Sequence, residues 1–125
     1  MLPSKIQLHK QSRRLELHFG AQAFDLTAEF LRVHSPSAEV KGHGPGQEVL
    51  QHGKKDVSLT HIEAVGNYAL KLVFDDGHDS GIFSWDYLYQ LCTEQDALWQ
   101  RYLEKLHTDN LTRDKDVQGL RFIDP

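Results

Sequence analysis

His78 is the side chain in this sequence with the widest chemical repertoire, and it directly follows Asp76-Gly77, a pair that predicts a tight turn. Residues 68–75 alternate between apolar and polar side chains, which predicts a strand that ends at this turn. The spacing therefore places His78 at an exposed hairpin tip, paired across the strands with Asp75. An imidazole there could bind a metal ion or hydrogen-bond to Asp75 or Asp79. We favour the hydrogen bond.

A catalytic role would need further side chains around His78. Ser80 and Asp76 supply the residue types of a nucleophilic hydrolase, but no nucleophile-elbow motif accompanies them. The glycine-rich segment from His43 to Gln47 lacks a Gly-Lys-Ser/Thr signature, so it does not predict phosphate binding. We therefore predict no catalytic residues and expect a protein that is not an enzyme.

The composition narrows the class of protein further. A chain of 125 residues fits one domain with its own core. Its 14 basic and 18 acidic residues give a net charge of -4 without a basic stripe, which argues against nucleic acid as a partner. No apolar stretch is long enough to predict a membrane span. Cys92 is the single cysteine, which excludes an internal disulfide and indicates a reducing, cytoplasmic location.

Three short strands are predicted at the start of the chain. Apolar and polar residues alternate around Ile6 and Leu8 and again over residues 15–19, which predicts two strands, and residues 23–26 predict a third that closes a small antiparallel sheet. Thr27 is a plausible N-cap for a helix of about two turns. The next segment, residues 35–55, is rich in glycine and polar residues and predicts a long loop.

The second half begins with a strand in residues 57–65, and the register of its hairpin with the strand in residues 68–75 has two interpretations. A two-residue turn would place His61 on the apolar face. A three-residue turn or a bulge would place Thr60 and Ile62 there instead, which buries more apolar surface, and we favour it.

Two helices are predicted at the C-terminal end. Ser84 can cap the first, and residues 93–96 resemble a capping box that starts a second amphipathic helix ending near residue 106. Residues 108–125 lose this periodicity and predict a mobile tail after a domain of residues 1–107. The expected fold class is α+β, with small antiparallel β-hairpin sheets packed with one short early helix and two C-terminal helices.

Four segments of the sequence follow one another in a characteristic order. They are Leu-Arg-Val-His-Ser-Pro-Ser-Ala-Glu-Val at 31–40, Val-Gly-Asn-Tyr-Ala at 65–69, Asp-Gly-His at 76–78 and Gly-Ile-Phe-Ser-Trp at 81–85. Together they resemble the gamma-butyrobetaine hydroxylase-like N-terminal domain family, and the resemblance spans roughly residues 5 to 106. It implies a free-standing relative of accessory domains that occur on carnitine-pathway oxygenases and on iron-sulfur scaffold ATPases related to Mrp.

The resemblance also implies the remnant of a zinc site. Zinc-binding members have a Cys-x-Cys-x-x-Cys segment and the histidine of Asp-Gly-His as ligands. The corresponding positions here are Ser35, Ser37, Val40 and His78. Valine cannot bind metal and neutral serine hydroxyls are poor zinc ligands, so we expect this site to be lost and no cofactor to be bound.

A rebuilt metal site is the alternative to a lost one. His34, Glu39 and His43 lie near the missing cysteines and could join His78 as nitrogen and oxygen ligands for zinc. Their spacing falls in a flexible loop and not on one rigid face, so we favour surface histidines without a shared role.

The function that we expect is that of a non-catalytic accessory or protein-interaction module. The resemblance implies an iron-sulfur scaffold ATPase as the protein partner, with a role in iron-sulfur cluster assembly or delivery. Tyr87 and Tyr89 could form a partner-binding surface if they lie beside the 35–55 loop. A metal-binding module that uses His78 is the alternative, and a small enzyme of unknown reaction is the third interpretation.

Overall fold

The computed structural model describes residues 1–115 and has two three-stranded antiparallel sheets with helices between and after them. The first sheet has the order β1-β2-β3, and the second has the order β4-β5-β6. This arrangement confirms the predicted α+β fold. The strands are β1 (Lys5–His9), β2 (Arg14–Phe19), β3 (Gln22–Thr27), β4 (Leu59–Val65), β5 (Ala69–Phe74) and β6 (Gly81–Ser84).

The helices connect the sheets and cover them. Two of them start as predicted, because the Thr27 hydroxyl accepts a hydrogen bond from the Phe30 amide and the Ser84 hydroxyl accepts one from the Tyr87 amide. The predicted capping box at residues 93–96 does not form, since no side chain caps the last helix and only Glu94 separates it from the preceding one. The helices are α1 (Ala28–Val33), α2 (Ala38–Lys41), α3 (Trp85–Thr93) and α4 (Gln95–Thr108).

One core fills the space between the sheets and helices. It combines apolar side chains of both sheets with the inner faces of α1 and α3, and Cys92 is one of its buried members. A smaller cluster lies between α1 and α4 and is built on Val33, Tyr102 and Leu106. Within residues 1–115, no helix has the length and apolarity that a membrane span requires.

The β4–β5 hairpin has the three-residue turn that sequence patterning favours. Ile62 lies opposite Leu72, and a register shift between Leu59 and His61 forms an irregularity at Thr60. Ile62 therefore shares the apolar face, whereas Thr60 is exposed and donates its hydroxyl to the Val73 carbonyl.

Residues 35–55 contain one turn of helix, α2, and otherwise form the predicted loop. The chain after α4 lies against this loop, since the amides of Gly53 and Lys55 donate to the carbonyls of Thr112 and Arg113. Arg113 also forms a bidentate ion pair with the buried Glu29 of α1. The predicted mobile tail comprises residues 108–125, of which residues 116–125 lie outside the described part of the chain.

The connection between β5 and β6 differs from the predicted two-residue hairpin. Residues 75–80 separate the two strands, and Gly77 has the positive φ of 91° that this turn requires. The Asp75 carboxylate does not face His78, because it accepts a hydrogen bond from the Ser58 amide. The longer connection lets the chain turn His78 inward, so the prediction of an exposed hairpin tip is wrong.

Candidate functional site

His78 is buried, with 4% of its surface exposed, and it lies against the segment that follows α1. Its Nε2 atom is 2.8 Å from the Ser35 hydroxyl and 3.4 Å from the Ser37 hydroxyl. Both serines are buried as well. The structure therefore brings together three of the four positions that the resemblance assigns to zinc ligands.

The other ring nitrogen of His78 faces a carboxylate. Nδ1 lies 3.5 Å from Glu39 Oε2, which is too long for a good hydrogen bond, and it has no other partner among the described residues. We place the proton on Nδ1 because it faces this carboxylate, so Nε2 accepts the hydrogen bond that Ser35 donates. Glu39 is itself held by a hydrogen bond from the Ser80 hydroxyl.

We call the set Ser35, Ser37, Glu39 and His78 the His78 corner. Burial lowers the pKa of His78, and the nearby Arg32 guanidinium lowers it further, while Glu39 and Asp76 act in the opposite direction. A neutral imidazole is the form that can accept a hydrogen bond at Nε2. The lowered pKa and the hydrogen bond from Ser35 therefore both favour a neutral His78 ring.

A glycine seals the His78 corner from the side of β6. A Cβ atom added at Gly81 would lie 2.5 Å from Ser35 Oγ and 3.0 Å from Cε1 of Phe83. Neither distance is compatible with an ordinary contact, so any larger residue would displace Ser35 from His78.

Ion pairs at Asp76 hold the turn that carries His78. Asp76 accepts hydrogen bonds from Arg32 at 2.8 Å, from Lys54 at 2.6 Å and from the backbone amide of His78 at 3.1 Å. Burial alone would raise the pKa of Asp76, but these bonds lower it to about 2. Arg32 is buried and also donates to Gln51, so one network fixes the turn, α1 and the loop together.

The residues of the proposed rebuilt metal site lie in different surroundings. Glu39 faces His78, but the ring of His34 packs on Phe30 and its Nδ1 donates to the Phe30 carbonyl at 2.8 Å. His43 is exposed. Within residues 1–115, no three His, Cys, Asp or Glu side chains are arranged to hold one metal ion.

The zinc site that the resemblance implies does not fit the donors present here. Two neutral hydroxyls and one imidazole are a poor set for zinc, and Val40 contributes a buried apolar side chain where a thiolate would be needed. Ser35 already uses its hydroxyl on the nitrogen that would bind the ion.

The segment that follows α1 also borders a groove of about 1040 Å³, on the side away from His78. One wall is residues 40–51 and the other is α4, and we call this cleft the α4 groove. His34, Val33 and Tyr87 also line it. Further lining residues are Val40, Leu50, Leu98 and Tyr102 on the apolar side and Lys41, Arg101, Lys105, Glu48, Glu104 and Asp109 among the charged ones.

Two tyrosine hydroxyls hold parts of the groove lining together, and one of them joins its two walls. Tyr87 donates to the carbonyl of His34 at 2.6 Å, and Tyr102 donates to the carbonyl of Gln51 at 2.9 Å. Burial raises the pKa of both, to about 12 for Tyr102, so both hydroxyls stay protonated and can donate.

The two tyrosines predicted to share a surface lie in different places. Tyr87 lines the α4 groove, whereas Tyr89 packs edge-to-face on Phe19 and Phe24 and donates to Gln22 of the first sheet. Side chains two positions apart on an α-helix point about 200° away from each other, which explains why Tyr87 and Tyr89 lie on different surfaces.

Sequence reasoning did not single out the cations of the α4 groove. Arg101 and Lys105 have the i, i+4 spacing of one helix face and could have been noticed. Lys41 could not have been recognised from the sequence, because its position depends on how residues 35–55 fold back onto α4.

This fold, with a buried histidine corner between a loop and a β-turn, defines a small α+β module. The family model for gamma-butyrobetaine hydroxylase-like, N-terminal domains matches residues 6–89. The chain belongs to this family, as its segments predict. No curated protein matches the chain.

Solved structures support the same assignment. A protein with an NMR solution structure is 56% identical, with 98% of this chain and 97% of that one covered and a TM-score of 0.82. A second NMR structure is 46% identical, with coverage of 95% and 89% and a TM-score of 0.78. A crystal structure of a protein of unknown function in the DUF971 family, from Acidithiobacillus ferrooxidans, is 37% identical, with coverage of 71% and 90% and a TM-score of 0.60.

Proposed function

We propose that this protein is a non-catalytic accessory module that binds a partner protein through the α4 groove. The observation that carries the proposal is the groove itself, which is open and combines apolar lining side chains, the exposed Val49 among them, with exposed charged ones. Protein-binding surfaces combine both kinds of side chain, because burial of apolar surface supplies affinity and polar contacts supply specificity.

The rigidity of the walls supports the same proposal. The Tyr102 hydroxyl ties the loop wall to α4 at Gln51, and the Tyr87 hydroxyl ties α3 to His34 at the end of α1, so these contacts reduce the conformational entropy that is lost when a partner binds. Val49 lines the groove with 52% of its surface exposed, as expected of a side chain available for contact.

The family suggests which partner to test first. Domains of this family occur joined to iron-sulfur scaffold ATPases related to Mrp, so a free-standing member could bind such an ATPase and assist cluster assembly or delivery in the cytoplasm. This step rests on analogy between relatives.

The experiment is capture of partners by the full chain from its own cells, followed by a binding measurement with the purified pair. We expect recovery of an iron-sulfur assembly component and saturable binding that Val49→Glu weakens. Ile82→Glu is the matched control, since Ile82 is 42% exposed on β6, away from the groove. Equal binding by wild type and Val49→Glu would rule out the groove as the binding surface.

A metal-binding role at His78 is the second candidate. The observation in its favour is the buried Nδ1 of His78, which has no hydrogen-bond partner among the described residues and faces Glu39. Metal analysis of protein purified without a histidine tag tests it. Stoichiometric metal that is lost in His78→Ala would support this candidate, and native protein without metal would remove it.

A further inference from the structure

We propose that the α4 groove binds a small neutral ligand of the phenol class, an apolar ring that carries one hydrogen-bond donor. His34 would accept the hydrogen bond at Nε2, and apolar side chains of the lining would cover the ring. The inference goes beyond the proposed function, because the ligand is a small molecule and not a partner protein.

The backbone of α1 fixes the tautomer of His34. Nδ1 lies 2.8 Å from the Phe30 carbonyl oxygen, which can only accept a hydrogen bond, so the proton is on Nδ1. Burial lowers the pKa of His34 and outweighs the hydrogen bond to Phe30, which raises it, while the charges of Lys105 and Arg101 lower it further. The ring is therefore neutral at pH 7, and Nε2 carries a lone pair.

The lone pair on Nε2 of His34 is open to the groove. Nε2 has no hydrogen-bond partner within residues 1–115, yet it is not cut off from solvent, since Nδ1 of His78 is the one buried side-chain nitrogen or oxygen without a partner in that range. His34 is half-buried and lines the α4 groove. A ligand in the groove can therefore reach Nε2.

The hydroxyl groups beside His34 are already engaged. Tyr87 donates to the His34 carbonyl, Tyr102 donates to the Gln51 carbonyl and Ser35 donates to His78. None of these three hydroxyls has a proton left for a ligand. An unpaired acceptor among satisfied hydroxyls and apolar side chains favours a ligand that supplies one donor.

The charged side chains of the groove do not favour a charged ligand. Cations and anions occur there in equal numbers, and their formal charges sum to zero. They are Lys41, Arg101 and Lys105 against Glu48, Glu104 and Asp109. A neutral ligand also avoids the cost of removing a charge from water.

The surroundings of His34 are suited to a planar ring. The rings of Phe30 and Tyr102 have their centroids 4.5 Å and 6.3 Å from that of His34, and Tyr87 and Tyr102 line the groove. Aromatic rings pack favourably on one another in offset or edge-to-face arrangements. A six-membered ring with one hydroxyl group therefore uses both the apolar lining and Nε2.

The test compares phenol with toluene, which has a methyl group in place of the hydroxyl, on the ¹⁵N-labelled full-length protein. We expect both compounds to shift amide resonances of the groove lining. Only phenol should shift the Nε2 resonance of His34, observed in two-bond ¹H–¹⁵N spectra of the imidazole ring. The same spectra of the free protein should show the proton of His34 on Nδ1.

His34→Asn is the variant that separates the hydrogen bond from the packing. The asparagine amide can still donate to the Phe30 carbonyl, but it has no atom at the position of Nε2. The ratio of phenol affinity to toluene affinity should fall about fivefold, as expected for the loss of one hydrogen bond. A change in stability that weakens both compounds equally cancels in this ratio.

His61→Asn is the matched control, since His61 is exposed on β4 and does not line the groove. It should leave the ratio unchanged. An unchanged ratio in His34→Asn, a proton on Nε2 in the free protein, or no shift of groove resonances up to the solubility limit of phenol would each overturn the inference.

These measurements use no partner protein, so their outcome is separate from that of the proposed function. Phenol binding that depends on His34, together with failed capture of a partner, would sustain this inference and refute the proposed function. A partner captured through the groove, together with no response to phenol, would do the reverse.

Discussion

The two sides of the segment after α1 make opposite use of polar side chains. At the His78 corner, Ser35 and His78 are buried and hydrogen-bonded to each other through Nε2 of the ring. At the α4 groove, Lys41 and its neighbouring cations are exposed and have no carboxylate within ion-pair distance in the described part of the chain. The corner has the features of a structural site, and the groove has those of a binding site.

The His78 corner and the α4 groove should therefore contribute differently to the stability of the fold and to binding. A buried hydrogen-bonded cluster is costly to break, because each group left behind loses its partner without regaining water. Exposed side chains contribute little to stability and can be changed freely. Substitutions at the corner should therefore change folding, and substitutions in the groove should change binding.

The largest effect is expected from His78→Ala. It removes a buried ring that packs near Phe74 and leaves the hydroxyls of Ser35 and Ser37 without their acceptor. The free energy of unfolding should fall by about 2–4 kcal/mol, measured by urea denaturation. A change below about 0.5 kcal/mol would contradict a structural role for the corner.

A somewhat smaller effect is expected from Gly81→Ala. The added methyl group would lie 2.5 Å from Ser35 Oγ and 3.0 Å from Phe83 Cε1, but 3.6 Å from Ser35 Cβ, so the hydroxyl is the closest obstacle and the Phe83 ring the second. The variant should lose about 1–3 kcal/mol of stability. Ser35→Ala in the same chain removes the clash, and the double variant should be more stable than the sum of the two single losses predicts. Additive losses would show that Ser35 and Gly81 do not press on each other.

The fold was predictable where the signal is local. The strands follow from period-two alternation, and the caps at Thr27 and Ser84 follow from residue type and position, because both act within three residues along the chain. The register of the second hairpin was also predictable, since only one turn length puts Ile62 opposite Leu72. The resemblance of several segments indicated the family, and the family model matches residues 6–89.

The site was less predictable because long-range contacts decide it. His78 turns inward when Asp76 is held by Lys54 and Arg32, which are distant in sequence, and no local pattern at Asp-Gly-His reveals those ion pairs. The α4 groove likewise depends on the path of residues 40–51, whose composition predicts only a loop. Tyr87 and Tyr89 are close in sequence, which favours one shared surface, but the helix turns Tyr87 towards the groove and Tyr89 towards Phe19.

The dependence of stability on pH should report on one histidine at the His78 corner and one at the α4 groove. Burial lowers the pKa of His78 at the corner and of His34 at the groove below the ordinary value of 6.5. The unfolded chain then takes up these protons at a higher pH than the folded chain. The free energy of unfolding should therefore fall as the pH drops below about 6.5 and be fully retained above it.

Titration of the imidazole Hε1 resonances by NMR measures this directly, and urea denaturation between pH 5 and 7 measures its effect on stability. His78→Asn should reduce the loss of stability at pH 5. An imidazole resonance of His78 that titrates at or above pH 6.5 would contradict the assignment of a neutral, hydrogen-bonded ring.

The smallest effect on stability is expected from Lys41→Ala. Lys41 belongs to the same segment as Ser37, but its ammonium faces the groove, and its contact with the Tyr87 ring is worth about 0.5 kcal/mol at an exposed site. The midpoint of urea unfolding should therefore change little, while the binding of a partner captured through the groove should weaken. Loss of more than about 1.5 kcal/mol would show that the groove wall is itself structural, and the division between a folding side and a binding side would then fail.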